Sequence, residues 1–220
     1  MFKTFRPGGI HPSENKLTAG SKIRELPLPG QVSIPLNQHI GATPKIMVDR
    51  GDMVKVGQLI AQGEGFISAN IHSSVSGKIV KLDAVVDISG YKRNAITIKV
   101  EGDEWMEEIN PSTELVREIN LEPQEIVRKI NDAGVVGMGG ATFPSHVKLM
   151  LPRGKKAEYL VINGVECEPF LTADHSLMME RPEELFSGIQ VLMKGLGVEK
   201  AILGIENNTP DAIEKMEQVT

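Results

Sequence analysis

The sequence predicts a chain of mixed α+β / α/β class: a small N-terminal β barrel or sandwich followed by part of a parallel α/β domain. Two observations carry this. Between about Val32 and Val100, short apolar or alternating runs are punctuated by Gly, Asp and Ser turns, the pattern of short strands in a small barrel or sandwich. Beyond Asn110-Pro111 the period changes, and apolar strands alternate with helical stretches, which calls for a parallel sheet with crossover helices. The boundary falls within residues 101–111, giving domains over 1–105 and 111–220.

In the first half the expected strands are Lys45–Val48, Gln58–Ala61, Ile67–Ile71, Lys78–Leu82 and Ala95–Val100. Asp49-Arg50-Gly51-Asp52, Gly63-Glu64-Gly65, Ser73–Gly77 and Ser89-Gly90 are the turns. In the second half Ser112-Thr113-Glu114 reads as a helix start. Glu122-Pro123-Gln124-Glu125 opens a helix to Ala133, with Ile126, Val127 and Ile130 at helical spacing. A short helix over Pro144–Met150 and an apolar strand over Glu158–Asn163 follow. Pro182-Glu183-Glu184 begins a helix that stops near Gly195-Leu196-Gly197, Lys200–Ile205 is a second buried strand, and Thr209-Pro210-Asp211 begins another helix. Two parallel strands leave a sheet with an open edge. The expectation is therefore an N-terminal fragment of a longer protein, or a partner that completes the sheet.

Composition narrows the function. The chain has 220 residues, 40% of them hydrophobic and 24% charged, enough for one large or two modest cores. No run approaches the roughly 18–20 apolar residues of a membrane-spanning helix, and the N-terminus lacks the apolar stretch of a signal peptide. Lys plus Arg number 24 against 29 Asp plus Glu, for a net charge of −5, and aromatics are 4%. Nucleic-acid binding, which draws on a positive excess and stacking rings, is excluded on both counts. Cys167 is the single cysteine, so neither a disulfide framework nor a four-cysteine iron–sulfur cluster fits within this chain. His11, His39 and His72 lie in turn-like contexts without i, i+4 pairing and read as turn or surface residues rather than metal ligands. A cytoplasmic chain, peripheral on the cytoplasmic side of a membrane, is the expected location.

Two constellations carry chemistry. In Gly134-Val135-Val136-Gly137-Met138-Gly139-Gly140-Ala141-Thr142-Phe143-Pro144, the glycines allow close backbone approach and leave N–H groups exposed to cradle a phosphate. Lys148, one turn along the following helix, reaches the same anion. The glycines follow a helix, unlike the dinucleotide fingerprint, which follows a strand. The plainer alternative is a helix C-cap and tight turn. The second constellation, Asn163-Gly164-Val165-Glu166-Cys167-Glu168-Pro169, lies beyond the carboxyl end of a strand, where α/β sheets bind ligands. Asn163 with Glu166 and Glu168 suits the polar edge of a heteroaromatic ring better than a metal. An ordinary acidic turn is the alternative there, and a hydrolytic carboxylate pair finds no other support. Cys167, flanked by carboxylates that would raise its thiol pKa, reads as structural.

Several of these segments together resemble known families. Val48-Asp49-Arg50-Gly51-Asp52-Met53-Val54-Lys55-Val56-Gly57-Gln58 followed by Ser73–Gly77 resembles the lipoyl/biotinyl, or barrel-sandwich hybrid, fold. A working carrier of that fold needs a lysine at the hairpin tip. Here the tip falls near Phe66, and Gly63–Ser68 contains none, so covalent lipoylation or biotinylation is not expected. Gly137–Pro144 with Lys148, then Tyr159–Pro169, resemble the flavin-binding subunit of respiratory NADH dehydrogenases, NuoF. Its corresponding runs are approximately GRGGAGFPTGLK and NADEGEP. Phe5-Arg6-Pro7-Gly8-Gly9-Ile10-His11-Pro12 and Pro35–Ala42 are similar to the RnfC family of ion-translocating Rnf/Rsx electron-transport complexes.

The resemblance implies an N-terminal barrel-sandwich hybrid followed by a partial parallel α/β flavin-binding domain. It implies FMN lined by Gly137, Gly139 and Gly140, with Lys148 near the phosphate or ribityl chain. Asn163 and Glu166 would address the flavin, and Glu168 would lie near the nicotinamide of NAD(H), the substrate. Met138, Thr142 and Val165 stand where the NADH dehydrogenase pattern has arginine, glycine and aspartate. The implied activity is electron exchange between NAD(H) and iron–sulfur centres or a ferredoxin-type carrier through the flavin, with other Rnf subunits as partners. [4Fe-4S] clusters are expected only beyond residue 220, and the fragment alone is expected to be inactive. No side chain is assigned as acid, base or nucleophile, and no metal is expected within the chain. The competing readings are a non-catalytic docking scaffold and a related soluble carrier of the cobalamin-reductase type.

Overall fold

The structure, a computed structural model, describes residues 12–87 and 89–219. The Phe5–His11 part of the opening motif, with His11, lies outside them. The chain divides into two compact units. One comprises Leu26–Ala157 with Lys194–Gly197; the other comprises the described residues before Leu26, Glu158–Met193 and the residues from Val198 onward.

The first unit begins with two antiparallel sheets. Strands β1 (Gln31–Pro35), β2 (Lys45–Ile46), β3 (Met53–Val54), β4 (Leu59–Gln62), β5 (Ile71–His72), β6 (Gly77–Val86) and β7 (Lys92–Val100) form sheets ordered β1-β7-β6-β3 and β2-β4-β5. The core between them is aliphatic: Ile34, Val54 and Ile71 are buried, and Ile60, Ile79, Ile96 and Ile98 are almost wholly so. This is the expected barrel-sandwich hybrid. The expected strand Ile67–Ile71 is reduced to β5 at Ile71–His72, residues 67–70 forming the hairpin tip, and β3 was not expected. Two further differences arise from burial and pairing. The β6–β7 hairpin is longer than the apolar runs suggest, because its outer end, through Val86↔Lys92, is held by main-chain pairing rather than by core contacts. Strand β1 lies along β7 with Pro35 at its end, an edge position that tolerates the missing N–H.

The Ser73–Gly77 step is built from small residues because hydroxyls replace strand pairing there. Ser73 Oγ donates to the Val75 carbonyl at 2.6 Å, and Ser76 Oγ donates to the Glu101 carbonyl at 2.9 Å while accepting from the Glu104 N–H at 3.0 Å. The hairpin tip between β4 and β5 is tied down rather than free. The Ala42 N–H donates to the Ile67 carbonyl, Ser68 Oγ to the Ala42 carbonyl, and the Ala69 N–H to His39 Nε2.

Residues 112–120 contain no helix. The Ser112 N–H bonds Asn110 Oδ1 and the Glu114 N–H bonds Ser112 Oγ, local turns that compete with helical pairing. Helix α1 (Pro123–Asp132) starts as expected, with Pro123 in its first turn and the Glu122 N–H donating to Glu125 Oε2 at 2.9 Å. Helix α2 is short, Ser145–Leu149.

The second unit carries a parallel pair, β8 (Leu160–Gly164) and β9 (Ala201–Ile205), in register from Leu160↔Ala201 to Gly164↔Ile205. Between them run α3 (Ala173–Glu180) and α4 (Pro182–Leu196), and α5 (Pro210–Glu217) follows β9. Met178, Ala212 and Met216 form the buried cluster beneath Leu203 and Ile205. Among the described residues no helix is long and apolar enough to cross a membrane.

Candidate functional site

The glycine loop is a closed turn between α1 and α2. Val136 bridges Pro144, the Gly137 N–H donates to the Phe143 carbonyl at 3.0 Å, and the Ser145 N–H donates to the Val135 carbonyl at 2.9 Å. Across the tip, the Thr142 N–H reaches the Gly139 carbonyl at 3.2 Å. The N–H groups of Met138, Gly139, Gly140 and Ala141 have no acceptor among the described residues. Four successive free donors on an exposed turn are what an anion requires.

The glycines differ in what surrounds them. Side chains built on Gly139 or Gly140 would meet nothing within 4 Å, whereas one on Gly137 would begin 3.4 Å from Lys148 Nζ. Lys148 thus stands beside the turn, as its spacing suggested. Gly134 is of another kind: its φ is +66°, and a Cβ there would lie 2.1 Å from the Asn70 carbonyl oxygen. It belongs to the packing of the β4–β5 tip on the end of α1, where Asn70 Nδ2 also donates to the Asp132 carbonyl at 3.0 Å. The loop borders a groove of about 1170 Å³, lined by Gly137, Met138, Ala141 and Thr142 on one side and by Val32–Pro35, His72 and Arg93 on the other. Thr142 holds φ +49°, a left-handed conformation costly for a β-branched residue, at the position where the NADH dehydrogenase pattern has glycine.

In the second unit Asn163 is the penultimate residue of β8, and Glu166 and Glu168 follow its carboxyl end. Asn163 Oδ1 accepts from the Val165 N–H at 3.1 Å and so shapes the turn. Glu166 is turned inward, 9% exposed, and accepts from the Asp174 and His175 N–H groups at 2.9 and 3.4 Å, capping α3. Glu168 is exposed. Cys167 is exposed and free.

A pocket of about 280 Å³ opens beside these residues, lined by Lys16, Glu166, Thr172, His175, Asn208 and Asp211 among others. His175 Nε2 lies 3.0 Å from Asp211 Oδ2. Burial, then the charges of Glu166 and Glu168, hold the Asp174 carboxyl above the usual carboxylate range. Of these residues, sequence reasoning missed Lys16, His175, Asn208 and Asp211. Asn208 and Asp211 carried the signal that found Asn163, a polar run past a strand end. Lys16, some 150 positions from its partners, carried none. Among the described residues no group of three or more His, Cys, Asp or Glu side chains is placed to hold a metal ion.

Comparison with known proteins fits both halves. The model of the RnfC barrel sandwich hybrid domain matches residues 3–103, and that of the Nuo51 FMN-binding domain matches residues 130–220. The C subunit of the proton-translocating ferredoxin:NAD(+) oxidoreductase complex of Clostridium ljungdahlii is 47% identical over 99% of this chain and 47% of its own length. Its counterpart in the ion-translocating oxidoreductase complex of Rhodobacter capsulatus is 45% identical over 95% of this chain and 40% of its own. That of the Na(+)-translocating ferredoxin:NAD(+) oxidoreductase complex of Acetobacterium woodii is 40% identical over 97% and 48%. The chain spans less than half the length of these relatives. With a barrel-sandwich hybrid leading into a glycine turn and a parallel strand pair, and with relatives of one kind along nearly its whole length, the chain belongs to the RnfC family.

Proposed function

We propose that this chain is the flavin-binding portion of an RnfC-type subunit of an ion-translocating oxidoreductase, exchanging electrons between NAD(H) and a ferredoxin-type iron–sulfur carrier. The observation that carries the reading is the turn at 137–143: open space over Gly139 and Gly140, four free N–H groups, and the Lys148 ammonium beside Gly137. That donor set fits the phosphate of FMN, since backbone N–H groups and an ammonium satisfy a dianion without a side chain intruding. Gly137, Gly139, Gly140 and Lys148 take the phosphate and ribityl end. Asn163, Glu166 and Glu168, in the other unit, are carried as residues for the flavin ring, with Glu168 for the nicotinamide, on the family motif alone.

Bound FMN supplies the exchange between two-electron hydride chemistry and one-electron transfer. The residues bind and orient. Gly139 and Gly140 keep the phosphate berth clear, Lys148 neutralises its charge, and Glu166 fixes the strand-end backbone through α3. The hairpin tip, without lysine and tied down through Ile67, Ser68 and Ala69, acts as a platform rather than a swinging arm. The relatives' names, as C subunits of complexes, support partnership with other subunits. [4Fe-4S] clusters elsewhere in the complete protein and peripheral attachment on the cytoplasmic side of a membrane are further expectations that rest on the motif resemblance.

Fluorescence titration of FMN with the purified chain and its Gly139→Asp variant tests the reading. Binding by the native chain and its loss in the variant are expected. Equal absence of binding in both would favour the docking-scaffold alternative.

A further inference from the structure

Residues 12–23 cross the carboxyl ends of both strands of the parallel pair. The Glu14 carbonyl accepts the Phe170 N–H at 2.8 Å, in the loop after β8, and Glu14 Oε1 accepts from Asn208 Nδ2 at 3.2 Å, in the loop after β9. Lys16 Nζ donates to the Glu166 carbonyl at 2.7 Å and to the Glu168 carbonyl at 3.0 Å. Thr18 Oγ1 meets Thr172 Oγ1 at 2.5 Å at the head of α3, and the Ile23 N–H donates to Glu180 Oε1 at 2.8 Å at its last residue. All of these partners lie in one compact unit with the segment. The crevice beyond the carboxyl ends of parallel strands is where open α/β sheets take ligands, and here the chain's own residues lie across it.

The attachment is polar throughout. No residue from Pro12 to Glu25 is buried and only Lys16 is half-buried; Leu17 and Ile23, the large apolar side chains of the segment, are 81% and 40% exposed. Among the described residues, the apolar cluster of this unit around Met178, Ala212 and Met216 includes none from the segment, so the segment can leave without uncovering it. A stretch held by hydrogen bonds alone, each of modest net worth, belongs to the least stable end of a protein's local openings. The closed arrangement also carries strain. Phe170, whose N–H is tied to Glu14, holds φ +71°, a left-handed conformation that a bulky side chain disfavours.

We propose that residues 12–23 form a releasable strap, fastened by Lys16, that shuts the strand-end crevice and lifts while β8, β9 and their helices stay folded. Lys16 is the main fastening, because a charged donor shared between two carbonyls outweighs a neutral pair. With the strap closed, Glu14, Lys16 and Ala19 wall a pocket of only about 280 Å³, and a larger ligand has to displace them. When the strap lifts, the Phe170 backbone relaxes, and the Glu166 and Glu168 carbonyls and the Asn208 amide are freed for another partner. The device lies within the strand-end unit alone and works whether or not the glycine turn holds a phosphate.

Amide hydrogen exchange on the whole chain tests the strap. In the native chain the Phe170 and Ile23 amides are expected to exchange together, at least roughly a hundred-fold faster than those of β8 and β9. Lys16→Met is expected to speed both roughly ten-fold, as for loss of a charge-assisted hydrogen bond, and to leave β8 and β9 as protected as before. Trypsin should cut after Lys22 faster by the same factor, since cleavage tracks the open population. Phe170→Gly, which accepts a positive φ, should act in the opposite direction and slow the Ile23 amide roughly five-fold, an effect that general loosening of the unit would not produce. Exchange of Phe170 and Ile23 only in step with β8 and β9 would overturn the proposal, as would native rates in Lys16→Met or a faster strap in Phe170→Gly. If Lys16→Met does not fold, Thr18→Val, which removes the hydroxyl contact with Thr172, carries the same comparison.

Discussion

The Asn70 carbonyl oxygen sits 2.1 Å from the point where a side chain on Gly134 would begin. The contact joins the β4–β5 tip to the start of the glycine loop, and Asn70 Nδ2 reinforces it through the Asp132 carbonyl. A methyl group at 134 meets backbone, which cannot swing aside, and also opposes a φ of +66°. Gly134→Ala is therefore expected to cost at least about 2 kcal/mol in denaturant unfolding. A variant as stable as the native chain would contradict the packing.

Gly139 should behave oppositely. With nothing within 4 Å of its missing side chain and no left-handed requirement, Gly139→Ala is expected to leave the melting temperature within about 2 °C of native. FMN affinity should nonetheless fall in Gly139→Ala and vanish in Gly139→Asp, whose carboxylate would repel the phosphate. A thermal melt beside a flavin titration separates the two effects. If Gly139→Ala loses stability and flavin together, the glycine is structural and the berth lies elsewhere.

This contrast also marks what was legible in the sequence. Glycine spacing located the loop but not the division of labour within it, because whether a glycine faces a ligand or a neighbouring carbonyl depends on residues about 60 positions away. The period of the apolar residues placed β2, β4, β6, β7, α1, β8 and β9, but it did not mark β1 or β3 and read Ile67–Ile71 as a strand where only Ile71–His72 pair. It failed at Ser112–Glu114, where Asn110 and Ser112 bond their own backbone. It also passed over α3, whose apolar Leu177, Met178 and Met179 are consecutive rather than spaced on one face, and whose start is capped by Glu166 from outside the helix. Lys16 was invisible for the same reason: its role is defined by carbonyls 150 and 152 residues distant.

His146 gives the fold a dependence on pH. It is 8% exposed on α2, and its buried Nδ1 has no partner among the described residues. Burial pushes its pKa below the ordinary value of 6.5, and burial does the same to His72. Below about pH 6.5 the unfolded chain therefore takes up protons that the folded chain refuses, and stability falls with pH. One such proton contributes a slope of at most about 1.4 kcal/mol per pH unit. Chemical unfolding at pH 7, 6 and 5 is expected to show this loss, and His146→Leu is expected to show a shallower one. An identical slope in the variant would mean that His146 does not titrate differently on folding.

Glu166 and Asp174 make the opposite prediction. The Glu166 carboxylate accepts the Asp174 N–H at the head of α3, and its charge, after burial, helps to hold the Asp174 carboxyl above the usual range. A carboxyl with a raised pKa in the folded state opposes folding while ionised, and the penalty disappears as pH falls through its folded value. Asp174→Asn is therefore expected to melt higher than native at pH 7, with the advantage shrinking toward about pH 4 and below. Glu166→Ala relieves the same repulsion but leaves two N–H groups of the first turn of α3 without their acceptor, so a net loss of about 1 kcal/mol is expected. Glu166→Gln, which keeps an acceptor oxygen and drops the charge, should fall between them. Thermal melts of the flavin-free chains check the order. If Glu166→Ala matches the native chain, the carboxylate is not a cap, and its inward turn is free to change when a ligand arrives.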